Sequence, residues 1–183
     1  MLKSAVLLLA LIGVANAVTV RDCAAFPNGT DTKLNWWPSC TGKIIFNTLA
    51  ATDADGNAEY PVQLIKPLHV NLGLVNNGAV YCGSAGCKLD TYIWSWGGWT
   101  GCDWHSISTL GLLNNLDACT NGVPCPIAQG NQNITVVVDF SKFQAIISLL
   151  TDDSPYQLQQ IITDNATGDK ACVTVQARAK TKN

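Results

Sequence analysis

Eight cysteines stand between residues 23 and 172 of this 183-residue chain: Cys23, Cys40, Cys82, Cys87, Cys102, Cys119, Cys125 and Cys172. This even set constrains the fold more than any other feature, because paired cysteines staple segments that are far apart in sequence. Eight cysteines admit roughly a hundred connectivities, so spacing alone does not choose among them. The oxidising compartment that disulfides need is written ahead of them. Lys3 gives a basic start, SAVLLLALIGV (residues 4–14) is an apolar run, and ANA (15–17) is a small-x-small triplet. That is the form of a secretory signal cut after Ala17, leaving one domain over residues 18–183, secreted and with the lysosome as a further destination. The run is too short to cross about 30 Å of hydrocarbon comfortably.

A metal centre is the rival use of cysteine. Zinc would want cysteines clustered with histidine, and the chain has only His69 and His105. Nothing asks for a metal or another cofactor. Three sequons, NGT at Asn28, NIT at Asn133 and NAT at Asn165, offer glycan acceptors in this compartment, and each implies an exposed asparagine. With 11 basic and 13 acidic residues there is no positive excess to attract nucleic acid. Only 13% of residues are charged and 48% are hydrophobic, which fits a compact extracellular fold with a large interior.

Amphipathic helical patterns are scarce and strand patterns are common. KIIFNTLA (43–50) is short and β-branched. LHVNLGLV (68–75) alternates, with Leu68, Val70, Leu72 and Leu74 on one face. KLDTYIWSW (88–96) sets Leu89, Thr91 and Ile93 opposite Asp90, Tyr92 and Trp94. NITVVVDF (133–140) puts Ile134, Val136, Val138 and Phe140 on one face, and ACVTVQARA (171–179) reads as a further strand. FQAIISLL (143–150) fits either a strand or a short helix. YQLQQIIT (156–163) reads as a strand, but Gln159-Gln160 breaks its alternation and leaves its inward face unassigned. About seven short strands separated by Gly/Asn/Asp turns mean an all-β sandwich or barrel.

WSWGGWTGCDW (94–104) holds four of the six tryptophans. A ligand pocket, a partner-binding surface and ordinary core are all open for it. DACTNGVPCPI (117–127) is more telling, with two cysteines around a turn containing Asn121-Gly122 and Pro124, then Pro126. This Cys–turn–Gly–Cys–Pro form resembles the ML lipid-recognition domain family, which includes the Niemann–Pick type C sterol carriers and group-two mite allergens. VRDC (20–23) resembles the family's first strand, PSC (38–40) its next cysteine, YPVQLIKPLHVNLGLVNN (60–77) its Gln-Leu strand and KACVTVQARA (170–179) its last strand. The resemblance spans most of residues 20–179. Its usual partner for the PSC cysteine falls where this chain has Val62, and Cys82, Cys87 and Cys102 are extra to the pattern.

The resemblance implies Cys23–Cys172 and Cys119–Cys125. The flexible loop CGSAGC suggests Cys82–Cys87, which leaves Cys40 with Cys102. It also implies an immunoglobulin-like β-sandwich of about seven strands whose sheets splay to bury one lipid: a sterol, a fatty acid or a phospholipid. Such a carrier is expected to act as a monomer, with transient contact to a membrane or receptor for delivery. A lipid has little polar surface and needs a dry apolar cavity with an opening. At about −0.3 kcal/mol per heavy atom, roughly 28 heavy atoms give about −8 kcal/mol, near micromolar affinity. The candidate wall is Val70, Leu72 and Leu74 with Val136, Val138 and Phe140. Pro155 and Tyr156 match a family Tyr/Pro pair near the entrance in reversed order. Trp96, Trp99 and Trp104 are candidates for an aromatic rim, with a plug of the cavity or a cap on the core as the alternative.

Enzyme chemistry finds little support. If all eight cysteines are paired, no thiolate nucleophile remains. His69 lies on the polar face of a strand, His105 follows Trp104, and neither has a Ser/Asp arrangement beside it. Asp152-Asp153 reads as part of a turn. The rival from another class is an extracellular interaction module. WSWGGWTGC resembles a thrombospondin type-one repeat, whose tryptophans interleave with arginines to bind glycans, yet residues 89–114 hold no Lys or Arg. An innate-immune lipid sensor of the same fold is the second rival.

Overall fold

The computed structural model describes residues 23–98 and 101–182. The expected signal segment and Trp99 lie outside the described residues. Among the described residues ten strands form two sheets. Six of them have nine or more residues: β2 (Ile44–Thr52), β4 (Leu68–Asn76), β5 (Cys87–Trp96), β8 (Gly130–Val138), β9 (Ser154–Asp164) and β10 (Lys170–Lys180). The short ones are β1 (Asn35–Pro38), β3 (Val62–Gln63), β6 (Trp104–Ile107) and β7 (Leu116–Asp117). The larger sheet runs β1-β10-β9-β5-β6, with β3 beside β10 and β7 beside β5; the smaller is β2-β4-β8. All pairings are antiparallel except β10 with β3. The protein is therefore an all-β, two-sheet sandwich, held by six long strands edged with four short ones.

Strand alternation decides what faces inward. On β4, Leu68, Leu72 and Leu74 are buried on the face that Val70 shares. On β10 the inward row is Ala171, Val173, Val175, Ala177 and Ala179, and on β5 it is Cys87, Leu89, Thr91 and Ile93. The core divides into two clusters. One gathers Phe46, Leu74, Tyr81, Leu89, Val123 and Ile127; the other gathers Val62, Leu68, Ile93, Phe140, Ile146 and Tyr156. Val70, Val138 and Val175 pack against both, so they mark the middle of the sandwich.

One strand expectation changes and one open alternative is decided. NITVVVDF does not stay extended to Phe140. Strand β8 ends at Val138, and the Asp139 carboxylate accepts the Ser141 N–H at 3.1 Å, capping a 3-10 turn over Phe140–Lys142. The ambiguous FQAIISLL contains a single helical turn, α1 (Gln144–Ile147), which buries Ile146 and Ile147. Among the described residues the first strand is NWWP; Cys23 lies outside any strand, and the rest of VRDC lies outside the described residues.

All eight cysteines are paired. Two pairs are local, Cys82–Cys87 and Cys119–Cys125. The other two correct the expectation: Cys40 bonds Cys172 and Cys23 bonds Cys102, in place of Cys23–Cys172 and Cys40–Cys102. The reason is the β1–β10 ladder. Pro38 stands opposite Val173, and the Ser39 N–H donates to the Cys172 carbonyl at 3.1 Å, which delivers Cys40 to Cys172. Cys23 is tied instead to the loop between β5 and β6. No disulfide joins a strand of one sheet to a strand of the other.

Candidate ligand cavity

Between the sheets lies an apolar cavity of about 100 Å³. The smaller sheet supplies Leu49 and Ala51 from β2, Leu68, Val70 and Leu72 from β4, and Val136 and Val138 from β8. The larger sheet supplies Ile93 from β5, Tyr156, Leu158 and Gln160 from β9, and Val173, Val175, Ala177 and Ala179 from β10. Leu34, Val62, Leu64, Phe140 and Leu150 close one end. Ala51, Ala177 and Ala179 make the room, since a longer side chain at any of them would point into the space. Among the lining side chains only Tyr156 and Gln160 carry polar atoms. The Tyr156 hydroxyl is already engaged, donating to the Thr151 carbonyl at 2.8 Å, and burial pushes its ionisation above the ordinary tyrosine range.

The sheets approach each other on the side of β2, β1 and β10. On the other side, between β5 and β8, the gap is occupied by a more polar hollow of about 200 Å³. The loop between β7 and β8 forms one wall, through Thr120, Asn121 and Gly122; Asp139, Lys142 and Phe143 form another; and Leu89, Thr91 and Leu113 line the β5 side. Val138, Phe140 and Gln160 line both spaces, so the hollow, here termed the vestibule, adjoins the cavity across these three side chains.

The residues singled out from sequence divide as follows. Val70, Leu72, Val136, Val138, Phe140 and Tyr156 line one cavity. Leu74 faces inward too, but it is 2% exposed and packed into the first core cluster with Tyr81 and Ile127, beyond the cavity's end. Pro155 does not line the cavity; it lines a second hollow with Cys23, Ala24 and Trp96, and Tyr156 lines both spaces. Trp96 and Trp104 do not line the cavity. Their rings stack against each other at 5.3 Å on the β5–β6 hairpin, and Trp96 shares the face of β5 opposite Ile93. The Trp96 indole N–H donates to the Ala24 carbonyl at 2.8 Å, so this tryptophan secures the N-terminal segment. Asn28, Asn133 and Asn165 are all exposed.

Apart from Tyr156, sequence reasoning missed the β9 and β10 contributions. The β10 row was legible as alternation in ACVTVQARA. The β9 row was hidden by its glutamines: Gln157 accepts from Gln176 and Gln159 donates to Ser39 on the outer face, while Gln160 points inward between Leu158 and Ile162. Asp152 and Asp153 brace the sheet and line no cleft: Asp152 accepts from Thr181, and Asp153 holds Arg178 at 2.6 and 2.7 Å. Both carboxyls are held below the ordinary aspartate range, by the Thr181 N–H and by the Arg178 guanidinium respectively.

No protein-family model matches the chain, and none of the curated proteins does. Among solved structures it is similar to a Niemann-Pick type C2 protein from the Japanese carpenter ant, with a TM-score of 0.46 and 12% identity, over 80% of this chain and 99% of that one. It is also similar to the C-terminal domain of wzt, with a TM-score of 0.35 and 11% identity, over 85% of this chain and 83% of that domain.

Proposed function

We propose that this protein is a secreted lipid carrier of the ML lipid-recognition type, which holds one lipid between its two sheets without covalent chemistry. The observation that carries the reading is the cavity itself. A wall built almost wholly of Leu, Val, Ile and Ala side chains offers a ligand no ionic or catalytic group and excludes water. Its ligand must be correspondingly apolar. A sterol, a fatty acid and a phospholipid acyl chain meet that requirement.

The cavity is smaller than the roughly 300–1,000 Å³ of most preformed ligand sites. Loading therefore means parting the sheets. Two features favour such movement: the sheets are close on only one side, and no disulfide fastens strand to strand across the gap. Delivery follows by transient contact with a membrane or receptor at the open side, and the carrier works as a monomer. Eight paired cysteines suit a secreted or lysosomal setting.

The test is organic extraction of protein purified from a secreting host, with mass spectrometry of the extract, followed by binding assays with a sterol, a fatty acid and a phospholipid. A lipid recovered at close to one per protein, and saturable binding, are expected. A clean extract together with no binding in any assay would overturn the carrier reading.

A further inference from the structure

Resting on the carrier reading, we infer that Gln160 reads the head of a single-chain amphiphile, with the tail in the apolar cavity and a neutral hydrogen-bonding head in the vestibule. Gln160 breaks an inward row that is otherwise Tyr156, Leu158 and Ile162. Gln160 is half-buried, and its amide is not shut away, so water or the head of a ligand can reach it. Among the described residues its amide has no hydrogen-bond partner, whereas Gln157 and Gln159 on the outer face of the same strand are both paired. Its position is also specific: it is the polar side chain that lines both the cavity and the vestibule. Its cross-strand neighbour on β5 is Thr91, which is 4% exposed and lines the vestibule.

The rest of the vestibule sets the charge of the head. Its two ionic side chains, Asp139 and Lys142, are paired with each other at 3.3 Å, and the Asp139 carboxylate also accepts the Ser141 N–H. That leaves no unpaired cation to receive a carboxylate or phosphate. Thr91 and Gln160 offer uncharged donors and acceptors, while the Thr120 hydroxyl and the Asn121 amide N–H already donate to the Asp117 carbonyl. An amide both donates and accepts, so it satisfies a hydroxyl or an ester carbonyl equally well. A fatty alcohol or a monoacylglycerol combines such a head with a tail slim enough for the narrow cavity. An ionised fatty acid would bring its charge into a vestibule with nothing to neutralise it.

The experiment displaces the neutral fluorophore N-phenyl-1-naphthylamine from the full-length secreted protein at pH 8, using dodecanol, monolauroylglycerol, dodecanoate and decane. In the wild type, dodecanol and monolauroylglycerol should compete about five- to tenfold better than decane, the worth of a hydrogen bond or two, and better than dodecanoate. Gln160→Leu should erase the advantage over decane, bringing the dodecanol-to-decane ratio to about one whatever the change in the absolute affinities. Gln160→Met, which keeps the length, should do the same and guards against a packing defect peculiar to leucine. Equal competition by dodecanol and decane in the wild type, or an unchanged ratio in both folded variants, overturns head reading and leaves the carrier reading standing. Tighter binding of dodecanoate also overturns it. If neither the fluorophore nor any of the four ligands binds, the carrier reading itself fails.

Discussion

Gly122 lies against Val137 so closely that a Cβ on it would stand 1.9 Å from the Val137 carbonyl oxygen. The two are also hydrogen-bonded, the Val137 N–H donating to the Gly122 carbonyl at 3.0 Å. Gly122 has φ +97°, a conformation that L side chains rarely adopt. This contact presses the Cys119–Cys125 loop onto β8 and builds one wall of the vestibule. Gly122→Ala should destabilise the protein by more than about 2 kcal/mol, because backbone must move on both sides of the contact. Urea unfolding measures it; a change within about 0.5 kcal/mol would show that the loop yields freely.

The disulfides make a graded prediction. Cys40–Cys172 closes a segment with a sequence separation of 132, and Cys82–Cys87 one with a separation of 5. In the chain-entropy model these are worth about 5 and about 2 kcal/mol. Replacing Cys40 and Cys172 by alanine should therefore lower the melting temperature well beyond the same replacement at Cys82 and Cys87. Non-reducing peptide mapping should recover Cys40 linked to Cys172 and Cys23 linked to Cys102. A Cys23–Cys172 peptide would contradict the β1–β10 register.

Much of the fold was legible because strand periodicity is local. All six long strands were read to within a few residues, and the inward faces of β4 and β8 followed from alternation. The failures have a common physical origin: they were decided by contacts distant in sequence. Which cysteine meets Cys172 depends on which segment forms the edge strand, and NWWP has no alternation long enough to announce itself. The inward face of β9 was unreadable because its polar residue is turned into the cavity. The tryptophans of residues 94–104 look like a binding motif in sequence, but β5 carries Trp94 and Trp96 on the face opposite Ile93, away from the cavity. Six of the twenty lining residues were read from sequence, and those that were not include Gln160, which gives the site its polarity.

Ala177 provides a direct probe of the cavity. It is 7% exposed and lines the space from β10. Filling a well-packed core in this way costs about 1–3 kcal/mol. Here a benzyl group has an existing void to enter, so Ala177→Phe should change stability by less than about 1 kcal/mol and lower lipid affinity at least about tenfold. Isothermal titration and thermal unfolding on the same preparation check both halves. Strong destabilisation with unaltered binding would place the lipid elsewhere.

Trp96 and Trp104 should matter to stability and not to binding. Their tilted rings at 5.3 Å join the two strands of the hairpin, and the Trp96 N–H ties down Ala24. An aromatic pair of this kind is worth about 0.5–1.5 kcal/mol beyond the area it buries. Trp96→Phe should lower the melting temperature by a few degrees, and lipid affinity should stay within about twofold. A large loss of affinity without a loss of stability would return these rings to the entrance.

Acid should loosen the seam between the end of β10 and the turn before β9. Asp153 chelates Arg178 through both oxygens, Asp152 accepts from the Thr181 N–H and hydroxyl, and both carboxyls titrate below the ordinary aspartate range. A carboxyl whose folded-state ionisation is depressed contributes stability that is fully present above its unfolded value, about 3.9, and that is lost as pH falls through the folded value. Melting temperature should therefore be flat from neutral pH down to about 5 as far as these groups are concerned, then fall below about 4. Asp153→Asn and Asp152→Asn together should remove most of that acid-side slope while lowering the neutral-pH plateau. Both groups lie near the surface, so salt should shrink the Asp153–Arg178 share. An unchanged acid slope in the double variant would assign the transition to other carboxylates, with Asp139 next in line because the Ser141 hydroxyl holds it low as well.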